Sequence, residues 1–399
     1  VGHYIRMLTN SLARYSPPNT EVSAFYFNFL SKHQDPILDS SIKHEKHTLM
    51  PQRLFAKLQS YGLPLPYDLL SSPVDVAIFP NFDRWTTSKA TITAVVIHDL
   101  GYLYFPETIE RRNLAHLRRR VAHAARTADL IITVSESAKS EIIAEYGVPA
   151  SKIIVTPIPA DPIYSQPGTV DVAAKYNLPT KRYIFSIGNL EPRKDLPTMI
   201  AAFRALPKKI RKQYSLVLAG GKGWKTEATE HAITEAQAAG EHVVRPGYIP
   251  QEDAPAFYQQ ADLFCMSSIY EGFGMPIVEA LTSGTPVVAS DIPVLREAGG
   301  NAVLYAQPKN LDDFMKKMLS IIADPQKVRL DMKTAVQVHL NTISWQNNTD
   351  RLIAAFRQKT SHQLGFMGYT YHYGSLQTLH HQPRHQAPLR PHRHHQHRH

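Results

Sequence analysis

From residue 74 to residue 305 short β-branched runs alternate with amphipathic stretches, and this alternation restricts the fold more than any other feature. In the first half, residues 74–80, 91–99, 129–135 and 152–157 read as strands bounded by turn residues, with helices over 107–127 and 136–146 between them. A strand, helix, strand order predicts parallel sheets covered on both faces. A Pro-rich stretch, Pro157-Ile-Pro-Ala-Asp-Pro162 followed by Gln166-Pro-Gly168, interrupts the pattern where neither a helix nor a central strand can continue. The alternation then restarts, with strands expected at 183–188, 215–220, 242–247, 262–267, 286–290 and 302–305. Asp195 before Leu-Pro-Thr198 and Pro276 before Ile277 mark helix starts. The expected fold class is α/β, with two doubly wound, Rossmann-like domains. The expected partition is a first Rossmann-like domain over 1–165, a second over 166–343, a helix over 344–358 returning to the first domain, and a tail over 359–399.

Composition excludes several classes. A chain of 399 residues, 43% of them hydrophobic, has enough apolar mass for packed cores, so global disorder is excluded. The longest apolar runs, at 93–97 and 131–134, fall far short of the roughly 18 residues that cross a bilayer. The single cysteine, Cys265, can form neither an intramolecular disulfide nor a cysteine metal cage, and its apolar surroundings predict burial. A cytoplasmic location is expected, including at the inner face of the membrane. The opening Val-Gly-His-Tyr-Ile-Arg-Met-Leu is amphipathic and helical, without the apolar core of a secretory signal. A first domain that starts on a helix is expected to lack its first strand and to leave an unpaired sheet edge.

The formal net charge is +10, but the residues after Gln358 carry Lys359, Arg384, Arg390, Arg393 and Arg398 and no acid, leaving +5 on the rest. The tail also holds eight histidines from His380 to His399 and almost no aliphatic residues, which predicts a disordered appendage rather than a metal-binding segment. Charge alone admits a nucleotide diphosphate, an anionic lipid surface or a nucleic acid.

Three segments carry chemistry. Tyr270-Glu-Gly-Phe-Gly-Met-Pro-Ile-Val-Glu-Ala280 follows a predicted strand and opens a predicted helix. Gly272 and Gly274 allow close backbone approach to a ligand, and the free N–H groups near Pro276 favour an anion. Ser186-Ile-Gly-Asn-Leu-Glu-Pro-Arg-Lys-Asp195 places Arg193 and Lys194 at a strand end, where two cations can neutralise a pyrophosphate. Val96-Ile-His-Asp-Leu-Gly101 places His98 at the carboxyl end of another strand, where open α/β sheets bind ligands. Each also has a plain local reading: Glu279 beside a helix dipole, Glu271 as a solvated loop acid, the Arg-Lys pair as a surface pair and His98 as a structural histidine.

Taken with their order, these strings resemble the retaining GT-B glycosyltransferases, most closely the GT4-type, group 1 family. The resemblance covers about residues 1–358. Glu271 and Glu279 match the family's Glu-x7-Glu motif, which implies donor-sugar contact for the first and ribose contact for the second. Arg193 and Lys194, after Gly188, match its phosphate clamp, and His98 matches the histidine that approaches the transferred sugar. The resemblance further implies donor binding by Gly272, Phe273, Gly274 and Met275, a place beside the base for Tyr248 and Ile249 of Gly247-Tyr-Ile-Pro250, and a place near the donor phosphate for Gly2. At that last site Val1-Gly2-His3-Tyr4 departs from the family's Gly-Ile-Gly-Arg-Tyr, with His3 in place of Arg.

The implied activity is retaining transfer of a sugar, mannose being the guess, from a nucleotide-sugar donor to a hydroxyl of a glycan or lipid-linked acceptor in cell-surface polysaccharide synthesis. No cofactor is expected, and no metal, since no Asp-x-Asp occurs in the chain. No nucleic-acid partner is expected. The basic stretch Arg111-Arg-Asn-Leu-Ala-His-Leu-Arg-Arg-Arg120 reads either as a solvated helix face or as a peripheral membrane contact. A GT-B phosphorylase or sugar-nucleotide epimerase would share the architecture without this motif set. A catalytically impaired nucleotide-sugar-binding protein is the alternative from outside the enzymes.

Overall fold

A computed structural model describes residues 2–31, 34–60, 65–88, 92–360 and 366–371. Strands β1 (Glu21–Phe27), β2 (Lys43–His47), β3 (Val76–Phe79), β4 (Ile92–Val96), β5 (Leu130–Thr133) and β6 (Ile153–Val155) belong to the first half. Strands β7 (Arg182–Ile187), β8 (Tyr214–Ala219), β9 (Val243–Gly247), β10 (Leu263–Met266), β11 (Val287–Ser290) and β12 (Leu304–Ala306) form the second, and β13 (Phe366–Tyr371) follows near the end. The two sheets have the orders β2-β1-β13-β3-β4-β5-β6 and β12-β11-β10-β7-β8-β9. Every pairing described in them is parallel.

Parallel strands covered on both faces must bury successive side chains on opposite sides, and β3 does so. Val76 and Ile78 join an apolar cluster with Ile5, Leu8 and Leu12 of the helix Gly2–Tyr15, whereas Ala77 and Phe79 join Phe55, Trp85, Val121 and Ala124 on the other face. Each large side chain so buried contributes about 1.5–3 kcal/mol. Cys265 is buried in the second domain's core.

The helix Trp345–Lys359 crosses back to the first half of the chain. Asn348 Nδ2 donates to the Pro157 carbonyl at 2.7 Å, Arg351 Nη1 donates to the Val155 carbonyl at 3.2 Å, and Trp345 lies against Tyr4 at 6.0 Å between ring centroids.

Two departures from the sequence reading concern the first sheet. Strands β1 and β2 lie before the region in which strands were expected; β2, Lys-His-Glu-Lys-His, has no apolar pattern and is an edge strand held by pairing with β1. The second is a correction. The reading of residues 359–399 as a disordered appendage, and of the first sheet as left with an open edge, fails at 366–371. That segment lies between β1 and β3, Tyr369 pairing with Ala24 on one side and Ile78 on the other. Backbone hydrogen bonding drives this, because a gap inside a sheet would leave two rows of N–H and C=O groups unpaired. The run His380 to His399 lies outside the described residues, as does Val1.

Candidate active site

In the second sheet the order reverses between β7 and β10, adjacent strands whose following segments leave in opposite directions. Ligands bind open α/β sheets in the crevice beyond the strand ends at such a point. The segment after β7 carries Arg193 and Lys194, and the segment after β10 carries Glu271. The two are stitched together, since the Ile269 N–H donates to the Arg193 carbonyl at 2.8 Å and Ser267 Oγ donates to the Lys194 and Asp195 carbonyls at 2.8 and 2.9 Å.

The charged side chains then meet. Glu271 accepts from Arg193 Nη1 at 2.7 Å, from Lys194 Nζ at 2.5 Å and from Ser268 Oγ at 2.7 Å. Arg193 also donates to Glu191 at 2.7 Å. Burial works to raise the Glu271 carboxyl, but Lys194 and Arg193 outweigh it and hold the group below the usual carboxylate range. Burial likewise opposes the charge on Arg193, yet Glu271 and Glu191 hold its guanidinium above its ordinary range.

Glycines bring the backbone close. At Gly220, with φ +129°, an added Cβ would lie 2.1 Å from the Gly188 carbonyl oxygen, so β7 and β8 end with their chains in contact. Gly188 itself borders Lys194, and the two line a pocket of about 10 Å³, room for about one water. Gly274 has φ +110° and caps the helix Met275–Thr282, with Leu295 and Ala298 packed against it. Gly272 lies against the backbone of His98 and the side chain of Asp99, which brings this loop up to the first domain.

His98 stands in the segment after β4, edge-on to Tyr4 at 4.8 Å and to Phe82 at 6.1 Å. Its Nε2 is buried without a hydrogen-bond partner among the described residues. Burial is the main cause that pushes the imidazole down to about 3, so it is neutral at physiological pH. Asp99 beside it is held above the usual carboxylate range by burial, with Oδ1 accepting from the Gly101 N–H at 2.8 Å. Glu279 accepts from Tyr258 Oη at 2.7 Å, and burial holds its carboxyl above the usual range against hydrogen bonds from Tyr258 and Tyr164.

Arg193, Lys194, Glu271, Gly188, Gly272 and His98 thus converge on one crevice. Phe273 is 4% exposed and anchors the loop in the core, so only its backbone is available there. Met275 is half-buried at the helix start and packs on the same core. Tyr248 is 75% exposed and Ile249 only 5%, and the Gly247 carbonyl accepts from the Gly220 N–H, which sets both beside the Gly188 edge of the site. Gly2 opens the first helix with open space around it.

The first part of this helix also supplies Tyr4 to His98. A scan against family models matches residues 171–339 to the glycosyl transferases group 1 and residues 78–163 to glycosyltransferase family 4. The O-antigen chain mannosyltransferase B of Escherichia coli is 30% identical over 281 residues, 70% of this chain and 73% of that protein. The chain belongs to the group 1 glycosyltransferases. Among solved structures, sucrose-phosphate synthase from Thermosynechococcus elongatus superposes with a TM-score of 0.64 at 19% identity, over 90% of this chain and 92% of that one. HepE from Anabaena, in complex with UDP and glucose, superposes with a TM-score of 0.60 at 17% identity, over 84% and 99%. The fold of this glycosyltransferase is GT-B.

Sequence reasoning missed the partners that set this enzyme's charges. Ser268 precedes one motif and Glu191 lies within another, so a local donor to Glu271 and a local acceptor for Arg193 were open to reading. Tyr164 and Tyr258 lie outside the motifs, and no local signal marks them; Tyr4 closes the N-terminal string, but nothing local says that it packs on His98.

Proposed function

We propose that this glycosyltransferase moves a sugar, mannose by its relatives' names, from a nucleotide-sugar to a hydroxyl of a glycan or lipid-linked acceptor, with retention and without a metal, in polysaccharide synthesis. The observation that carries this reading is the Glu271 carboxylate held by Arg193 and Lys194 at the switch point, on a loop whose Gly272 lies against the backbone of His98. Supporting it are the O-antigen mannosyltransferase named among the relatives and the UDP and glucose named for HepE.

The donor diphosphate takes Arg193 and Lys194, with help from the N–H groups at the start of the helix Met275–Thr282. Glu271 is thereby released to accept hydrogen bonds from the sugar, and His98 Nε2 gains a partner in a sugar hydroxyl. Glu279, steadied by Tyr258, has a carboxylate for the ribose. As the bond from the anomeric carbon to the diphosphate oxygen breaks, the acceptor oxygen bonds to that carbon on the same face. The acceptor proton passes to the departing phosphate oxygen, so no side chain has to act as general base.

Peripheral membrane contact belongs to the same proposal. On the helix Arg111–Thr127 the side chains of Arg111, Arg112, Arg118 and Arg119 are exposed, while Leu114 and Leu117 pack inward. Contact with an anionic bilayer would therefore be electrostatic and weakened by salt. Among the described residues no helix is long and apolar enough to cross a membrane.

The test is a thermal-shift panel of GDP-mannose, UDP-glucose and ADP-glucose, followed by transfer assays with and without EDTA. Stabilisation by one nucleotide-sugar and transfer that survives EDTA are expected. Binding without turnover would favour a binding protein, and activity lost to EDTA and restored by Mg²⁺ or Mn²⁺ would overturn metal independence.

A further inference from the structure

The loop that carries Glu271 is held from two sides, and one side chain ties the sides together. On the first domain, Ser135 caps the helix Glu136–Tyr146 by accepting from the Ala138 N–H at 3.0 Å, and its hydroxyl donates to the Gly272 carbonyl at 2.8 Å. On the second domain, Leu295 and Ala298 of the helix Pro293–Gly299 press on Gly274. Glu297, on that same helix, reaches across the domain boundary. Its Oε2 accepts from the Glu136 N–H at 2.6 Å, and its Oε1 accepts from the Ser137 N–H at 2.8 Å and from the Ser137 hydroxyl.

These are the first two N–H groups of the helix Glu136–Tyr146, donors that no intrahelical carbonyl can satisfy. A carboxylate there gains both charge-assisted hydrogen bonds and the favourable end of the helix dipole. Further along the same helix Glu141 accepts from Tyr270 Oη at 2.9 Å, and that oxygen also accepts from the Leu100 N–H at 3.1 Å. The helix and its cap thus meet Tyr270 at the start of the segment 270–274 and Gly272 in its middle, and Leu100 lies two residues from His98.

We propose that Glu297 is a positioning residue for sugar transfer: by capping the helix Glu136–Tyr146 from the opposite domain, it holds the loop of Glu271 and Gly272 in register with His98. It touches neither Arg193, Lys194 nor Glu271, so it sets the alignment of the two half-sites rather than the affinity of the second domain for its ligand. Closure of this kind also excludes water from the reacting carbon. The kinetic half of the inference rests on the nucleotide-sugar reading proposed above; the geometric half stands without it.

The geometric test places spin labels on Arg118→Cys and Lys333→Cys, both exposed positions in different domains, while Cys265 is buried and escapes labelling. One narrow distance is expected for the otherwise unchanged protein, and a longer, broader distribution with Glu297→Ala. The kinetic test uses GDP-mannose. Glu297→Ala should lower kcat at least tenfold and raise the ratio of donor hydrolysis to transfer, with the donor Kd within twofold. Glu297→Gln, which keeps an acceptor oxygen, should recover part of the rate. Ser137→Ala should act in the same direction more weakly, and it leaves the helix Pro293–Gly299 intact should Glu297→Ala fold poorly. An unchanged distance distribution overturns the proposal, as does a kcat within twofold or a parallel loss of donor affinity. A protein that turns over no nucleotide-sugar at all overturns the functional reading, and the distance measurement then decides the geometric half.

Discussion

Lys194 Nζ and Glu271 Oε1 lie 2.5 Å apart, while Arg193 holds the other carboxylate oxygen at 2.7 Å. The cations proposed for the diphosphate are therefore paired with the carboxylate proposed for the sugar, and Arg193 with Glu191 as well. Side-chain exposures of 12% and 10% for Lys194 and Glu271 mean that solvent screens this contact little.

Glu271→Gln should abolish transfer, and the buried pairing adds two consequences. Lys194 loses its carboxylate partner and Arg193 keeps only Glu191, which should cost about 3 kcal/mol of stability. Nucleoside diphosphates should bind more tightly, because they no longer compete with Glu271. Calorimetric titration with GDP and UDP alongside melting curves checks both, and weaker diphosphate binding would show that Glu271 organises the clamp instead of competing with its ligand.

His98 is held down to about 3 mainly by burial, below its unfolded value of about 6.5. A folded-state value below the unfolded one means stability that is present above pH 6.5 and is lost as pH falls toward 3. The loss is about 1.4 kcal/mol per pH unit for this one group. His98→Gln should flatten the dependence of stability on pH between 6.5 and 5 by about one proton, read from urea unfolding at several pH values. An unchanged slope would mean that the imidazole is not buried as described.

Pairing on both sides of β13 makes the segment 366–371 part of the first sheet. Ending the chain at Lys359 should lower the melting temperature and promote aggregation, which loss of a disordered appendage would not do. Tyr369→Pro removes one ladder N–H and should act in the same direction by about 2–3 kcal/mol. Melting curves and light scattering decide, and an unchanged melting temperature for both variants would place this segment outside the sheet.

Two glycines should respond oppositely. Gly220→Ala drives a Cβ to 2.1 Å from the Gly188 carbonyl at a φ of +129°, a backbone clash that no rotamer relieves. A loss of about 2–4 kcal/mol is expected. Gly2→Ala meets nothing within 4 Å and should stay within about 0.5 kcal/mol. A Gly2→Ala protein that folds normally but binds donor poorly would show that a ligand approaches that position.

The sequence by itself determined the two parallel sheets, because β-branched runs and helical stripes are local patterns that report their own burial. It also determined where Arg193, Lys194, Glu271 and His98 sit, each on a turn after a strand, because Gly and Pro dictate backbone turns at short range. The tertiary structure alone decided their state. That Glu271 neutralises the clamp follows from two loops 77 residues apart meeting between β7 and β10. That His98 is neutral follows from the burial around it, with Tyr4 and Phe82 supplied by distant elements. The tie from Glu297 to Ser137 spans 160 residues and two domains. Residues 366–371, Phe-Met-Gly-Tyr-Thr-Tyr, are rich in strand-favouring types that the reading of the tail as an appendage passed over, but no local pattern announces the strands between which they lie. Strand pairing depends on which backbone groups remain open in the assembled sheet, and only the folded chain specifies those.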